Sequence, residues 1–382
     1  PLMKKMGYDK DFAGAVEATA STGGQLAPPV MGAAAFLMAE ILAVPYGTIV
    51  KAAVVPALLY YLSCFFVVDF EAGRLGLSGV SKEELPAAGS VMKKGWFHII
   101  PLVMLVYMLV FAGTSALMAS TWAVGVTFLI GLITAPKDKT MLIRLKDTVM
   151  STASSSITVA TATACAGLIV GCFAVTGLGT KLSTLIIALA GGKLILILLF
   201  TAVAAIILGM GLPTVAAYSI LVTLIVPTLT KLDILPIAAH MFIFYFGIIS
   251  NVTPPVALAA FAAAGLSGGS VLWTGVKATR LALAGFIIPF VMIYAPEILM
   301  IGEPVEIAIV SITALIGVYA LATATVGYYF TNCTVPERII NAVAGIMLVV
   351  PDTMISLIGL VIFVVSTVFN RKQARSKKVK AA

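Results

Sequence analysis

Three stretches of this chain, residues 95–136, 194–230 and 234–276, contain no Asp, Glu, Lys or Arg. A water-soluble domain carries about 25% charged residues, so runs of this length do not sit on a hydrated surface. The whole chain agrees: 61% of its 382 residues are hydrophobic and 10% are charged. This is the pattern of an all-α polytopic membrane protein, because in lipid a helix satisfies its own backbone hydrogen bonds. The 24 basic residues outnumber the 16 acidic ones, for a net charge of +8. They gather in short loops and a C-terminal tail, which is a topology signal at a cytoplasmic face and no sign of nucleic-acid binding. Cys64, Cys165, Cys172 and Cys333 stand apart in apolar surroundings without metal-ligand spacing and read as packing residues.

A spanning helix needs about 20 apolar residues. Residues 52–68 and 281–296 predict single crossings, 95–136 predicts two divided at Gly113–Ser115, and 148–180 predicts another. The Ser/Thr-rich face over 151–163 suits helix packing in lipid. Residues 194–230 pose a problem of length. As one helix they would run roughly 55 Å through a core of about 30 Å. GMGLPT at 209–214 lies at their midpoint, so a re-entrant hairpin with its tip inside the bilayer is expected. SNVTPP at 250–255 interrupts 234–276 in the same way, leaving half-helices at 236–249 and 256–266 that make one broken crossing.

Loop charges set the orientation. With 12–43 also crossing once, Lys4, Lys5, Lys10, Arg74, Lys82, Lys93, Lys94, Lys137, Lys139, Arg144, Lys146, Lys277 and Arg280 share one face. The loop 296–304, with Glu297 and Glu303, lies on the other. The tail RKQARSKKVK at 371–380 belongs on the basic face. Two full crossings at 307–330 and 340–369 would put it on the wrong side, so a hairpin turning at Pro351-Asp352 is expected.

The chain also repeats itself. QLAPPVMGAA at 25–34 resembles NVTPPVALAA at 251–260, and Pro28 and Pro254 lie 226 positions apart. The same offset pairs Pro1 with Pro227, Lys5 with Lys231, Ala13 with Ala239, TIVKA at 48–52 with TGVKA at 274–278, and Glu71 with Glu297. A duplication therefore covers 1–76 and 227–302. The loop charges make the two copies cross in opposite directions, an inverted repeat of the kind that builds many secondary transporters around a midplane site. Under the offset GMGLPT maps upstream of Pro1, so the first copy's hairpin is expected there, in a longer parent chain. The expected organisation is 1–76 for the second part of the first repeat and 77–190 for connecting scaffold helices. Residues 191–302 form the second repeat, and 303–382 an extra membrane region with a basic tail.

The breaks carry the chemistry. Proline removes a backbone donor and frees the carbonyl one turn earlier, and freed groups persist in lipid only where they line a cavity or find a partner. Half-helix ends offer carbonyls to a cation and amides to an anion. The second copy adds Ser250, Asn251 and Thr253 beside Pro254 and Pro255; the hairpin tip adds Gly209, Gly211, Pro213 and Thr214. In the first copy Ser21, Thr22, Gly23, Gly24 and Gln25 precede Pro28 and Pro29. Oxygen-only ligands suit a hard cation such as sodium. His240 in the first arm of the broken crossing, and Glu17 and Glu40 flanking the first break, keep proton coupling open. No Lys or Arg lies at either break, so an anionic substrate would be held by helix N-termini and hydroxyls. Neither a P-loop nor HExxH is present, and the chain does not read as an enzyme or as a cofactor carrier.

EATASTGGQLAPPVMGAAAFLMAE at 17–40, GMGLPT at 209–214 and NVTPPVALAAFAAAG at 251–265 resemble the large membrane subunit of TRAP transporters, particularly the fused permeases of the TAXI type. The resemblance covers residues 1–300, and 303–382 resembles the extra C-terminal region of some fused members. It implies an elevator fold in the bacterial inner membrane and uptake of organic acids coupled to a cation gradient. It also implies delivery by a periplasmic binding protein and a small membrane subunit, here fused upstream. Ser21 to Gln25 with Pro28 and Pro29 would form the first broken helix beside one cation site. Gly209 to Thr214 with Asn251, Thr253, Pro254 and Pro255 would form the second, with sodium at Gly211, Thr214, Asn251 and Thr253. The first hairpin is missing from this sequence, which leaves that copy's site and the substrate pocket incomplete. Another broken-helix symporter, such as a divalent-anion exchanger, shares these breaks. An ion channel also uses re-entrant tips, and saturable uptake that needs a binding protein separates the two.

Overall fold

The computed structural model describes residues 1–77, 79, 87–134 and 141–381; Lys82, Lys137 and Lys139, three of the loop cations, lie outside the described residues. A short α1 (Leu2–Lys5) leads into α2 (Lys10–Gly23), α3 (Ala33–Ile41) and the long α4 (Tyr46–Leu75). Next come α5 (Ala88–Gly95), α6 (Ile100–Val106), α7 (Ala116–Thr134), α8 (Met141–Thr176) and α9 (Leu178–Leu189). α10 (Leu194–Gly209) and α11 (Thr214–Thr230) flank GMGLPT, and α12 (Pro236–Ile249), α13 (Leu258–Ser267), α14 (Val271–Leu281) and α15 (Leu283–Tyr294) follow. The last elements are α16 (Pro304–Val326), α17 (Val335–Val349) and α18 (Thr353–Ala381).

Among the described residues five helical stretches are long and apolar enough to cross a membrane: Tyr46–Leu75, Ala116–Thr134, Val271–Tyr294, Pro304–Val326 and Thr353–Ser376. The protein is a polytopic helical membrane protein. α10 and α11, of 16 and 17 residues, are each shorter than a crossing of about 20. Residues 95–136 divide where the sequence places the division, at Gly113 with φ +62. The expected span at 148–180 differs: α8 begins at Met141, and the apolar pair Thr163–Thr176 and Leu178–Leu189 bends by 72°. The bend falls on Gly177, whose φ of 64° is the left-handed conformation open to glycine.

The 226-residue offset reappears in the backbone. α2 starts and ends at Lys10 and Gly23, and α12 at the equivalent Pro236 and Ile249. Positive φ angles fall on equivalent residues as well: Gly7 and Asp233, Met31 and Ala257, Gly76 and Gly302. The Pro28-Pro29 and Pro254-Pro255 peptide bonds are both cis. The two segments therefore follow one backbone path.

The second segment sits deepest. α12 buries every residue from Ala238 to Ile249, packed by α10, α11 and α15, while α2 lies along α13 and α14. By contrast only Ala119 is buried in α7, and an apolar exterior is what a lipid-facing helix presents. At the C-terminal end the chain reverses at Pro351. Ser356 Oγ donates to Val350 O at 2.9 Å beside the turn, Tyr329 Oη donates to Thr367 Oγ1 at 2.6 Å, and Phe330 N and Thr331 N donate to Asn370 Oδ1 at 3.3 and 3.2 Å. α17 and α18 are thus antiparallel, and the start of the basic tail lies beside the turn after α16. α18 extends to Ala381, past the apolar segment, because its last turns hold strong helix formers and no Gly or Pro.

Candidate functional site

Glycine and proline make the hairpin tip short enough to reach its neighbours. A Cβ on Gly209 would lie 3.1 Å from Ser250 Oγ and 3.4 Å from Gly247 Cα, so the end of α10 rests directly on the end of α12. Gly211 takes φ +79, which a side chain would oppose. Pro213 then precedes the first residue of α11, Thr214.

At the second break α12 passes into a 3-10 turn at Ser250–Val252, and α13 starts only at Leu258. Three side chains fold back onto the last carbonyls of α12. Ser250 Oγ donates to Gly247 O at 2.7 Å, Thr253 Oγ1 to Ile249 O at 2.8 Å, and Asn251 Nδ2 to Ile248 O at 3.2 Å. These satisfy the orphan carbonyls of a helix end. A hydroxyl that has donated its one proton offers only lone pairs elsewhere. The Ser250 and Thr253 hydroxyls therefore present acceptors.

The first break begins later than the sequence pattern suggests. α2 continues through Ser21, Thr22 and Gly23, because no proline arrests it before Pro28. Ser21 Oγ donates to Glu17 Oε1 at 3.0 Å on an exposed face, and Thr22 and Gly23 are buried. Gly24 ends the helix. Gln25 lies in the break proper: its carbonyl accepts from Gly32 N at 2.8 Å, closing the loop. Its side-chain oxygen accepts from the Thr214 hydroxyl.

One tip therefore touches both breaks, Gln25 through Thr214 and Ser250 through Gly209. The sequence pattern groups the tip with the second break alone. It also misses the groups that satisfy freed carbonyls. Tyr46 Oη reaches Pro29 O at 3.1 Å and Val30 O at 2.8 Å. Tyr60 and Tyr61 donate to Thr19 O and Ala20 O, each at 3.0 Å, and Thr279 Oγ1 donates to Val252 O at 3.2 Å. The available signal was the three tyrosines of α4, since a buried phenol needs a partner for its hydroxyl.

The family model for the tripartite ATP-independent periplasmic transporter, DctM component, matches residues 1–307. The chain belongs to this family. No curated protein matches it. It is thus the permease of a TRAP transporter, a family of transporters rather than enzymes whose DctM components work with a periplasmic binding protein and a small membrane subunit. The match takes in both breaks and the hairpin and ends just inside α16, so α17, α18 and most of α16 lie beyond it.

Two features of this TRAP permease bear on its chemistry. Among the described residues no three His, Cys, Asp or Glu side chains converge, so a cation at the breaks would be held by carbonyls, hydroxyls and amides. GLSGG at 265–269 has the letters of GxSxG. That motif places serine on a strand-to-helix turn, whereas Ser267 ends α13 and donates to Ala264 O at 3.3 Å.

Proposed function

We propose that this permease imports an organic acid handed over by a periplasmic binding protein, driven by a cation gradient with sodium as the coupling ion. The observation that carries this reading is the hairpin tip seated on both breaks, with hydroxyls already spent as donors. Such a junction offers oxygen lone pairs to a hard cation. Gly211, Thr214, Asn251 and Thr253 would take the sodium, with Ser250, Pro254 and Pro255 shaping the second break. Ser21 to Gln25, with Pro28 and Pro29, would form the first broken helix beside one cation site. Cation binding would hold the tip against the breaks, and the loaded unit would then move against its scaffold as an elevator.

The organisation proposed is 1–76 and 191–302 as inverted repeats, 77–190 as scaffold, and 303–382 as an added C-terminal region. The setting is the bacterial inner membrane, in a TAXI-type fused permease. The matching helix ends and positive φ angles of the two segments support the repeat. A second reading, proton coupling, draws on one contact. Tyr218 Oη and His240 Nδ1 lie 2.6 Å apart, both buried, between the hairpin and the broken helix.

The test is uptake of a labelled carboxylate into proteoliposomes holding the complete permease. Saturable uptake is expected only with the binding protein outside and an inward sodium gradient. Unsaturable flux without the binding protein would show a channel instead.

A further inference from the structure

At the end of the protein where α2 and α17 begin and α4, α14 and α16 end, the helices border an open cavity of about 470 Å³. The cavity is lined by four cations, Arg74, Lys277, Arg280 and Arg338, and by two carboxylates, Asp9 and Glu71.

The carboxylates are already engaged. Arg74 holds Glu71 at 2.5 Å, and Lys277 pairs with Asp9. The hydrogen bond from Lys277 keeps the Asp9 carboxyl below the usual carboxylate range, so Asp9 is held as a carboxylate facing Lys277. Two positive charges are left over. Arg338 donates from Nε to Ala324 O at 2.9 Å and from a terminal nitrogen to Thr325 O at 3.1 Å; both partners are neutral, so its charge is not cancelled. Arg280 makes no side-chain hydrogen bond or ion pair among the described residues. A guanidinium fork matches a phosphate in both charge and geometry. Basic pockets between membrane helices are a known setting for phosphate headgroups.

We propose that this cavity binds a phosphate group, held by Arg280 and Arg338 with Lys277 beside them. The group is either the headgroup phosphate of an anionic lipid or a free phosphate ion. Arg280 lies within the family match, and Arg338, Thr325 and Val326 lie beyond it. A phosphate here would therefore tie the C-terminal helices to the repeat-bearing part of the permease.

Thermal unfolding of the purified permease in a neutral detergent tests this. One arm compares sodium phosphate with sodium chloride at matched ionic strength and sodium concentration. The other compares added phosphatidylglycerol with phosphatidylcholine. A saturable rise in Tm is expected in at least one arm: phosphate alone identifies the free ion, and phosphatidylglycerol alone identifies the lipid. Arg280→Gln should weaken the apparent affinity by about tenfold or more, the scale of losing a hydrogen bond to a charged group. Its Tm without ligand should stay near wild type, since the side chain has no partner to lose. Lys5→Gln removes the same charge away from the cavity and should leave the affinity unchanged. No saturable rise in either arm, or equal weakening by Lys5→Gln, would overturn the proposal.

Discussion

Gly209→Val is expected to cut binding-protein-dependent uptake by about 5- to 150-fold, because roughly 1–3 kcal/mol of overpacking would fall on one arrangement of the hairpin. The first added carbon would already stand 3.1 Å from Ser250 Oγ and 3.4 Å from Gly247 Cα. Neither neighbour can yield cheaply. Gly247 meets the tip with its backbone, and Ser250 Oγ is held to Gly247 O at 2.7 Å. The tip would have to lift from the second break, and the hydrogen bond from Thr214 to Gln25 would be drawn apart with it. Gly265→Ala is the control, since an added Cβ there meets nothing within 4 Å. It should retain uptake. Equal activity of Gly209→Val and wild type would mean that transport does not require the seated tip.

Tyr60→Ala should destabilise the protein by about 3–5 kcal/mol, the usual cost of emptying a large aromatic site. Tyr60 is 1% exposed and wedges between the two related segments. On one side a Cβ on Gly23 would come within 2.5 Å of its ring; on the other, a Cβ on Gly285 would come within 2.9 Å. The ring thus fills the space that two glycines leave open. Tyr60→Phe keeps that wedge and removes only the donation to Thr19 O at 3.0 Å, so it should cost about 1 kcal/mol. Denaturant unfolding of the purified variants followed by helical circular dichroism separates the two. Equal losses would assign the effect to the hydrogen bond and not to the wedge.

Much of the fold could be read from charge spacing and from proline and glycine. Runs without charge mark helices that face lipid or, like α12, are buried within the protein, and GMGLPT and SNVTPP stop them where the structure stops them. The helix ends of α2 and α12 fall on equivalent residues because the same duplicated pattern sets both. What could not be read is long-range. Nothing local to Thr214 indicates that its hydroxyl meets Gln25, 189 positions away. The late end of α2 escaped because serine, threonine and glycine favour breaks without enforcing one. They stay helical here with Gly23 packed against Tyr60. The basic cavity was hidden for a different reason. Arg74, Lys277 and Arg280 read as loop charges, but they lie in the last turns of α4 and α14, and a topology signal says nothing about which helix ends converge.

The proposed cation site is tested most directly by the thermal stability of the purified permease in sodium chloride against choline chloride at fixed ionic strength, with Asn251→Ala and Thr253→Ala alongside. A ligand that binds only the folded state raises its stability by about 2.7 kcal/mol at 100 times its dissociation constant. The account predicts a sodium-specific rise in the wild type that is lost in both variants. A wild type indifferent to sodium, with a stability that shifts with pH instead, would contradict it and move the coupling to the buried Tyr218–His240 pair.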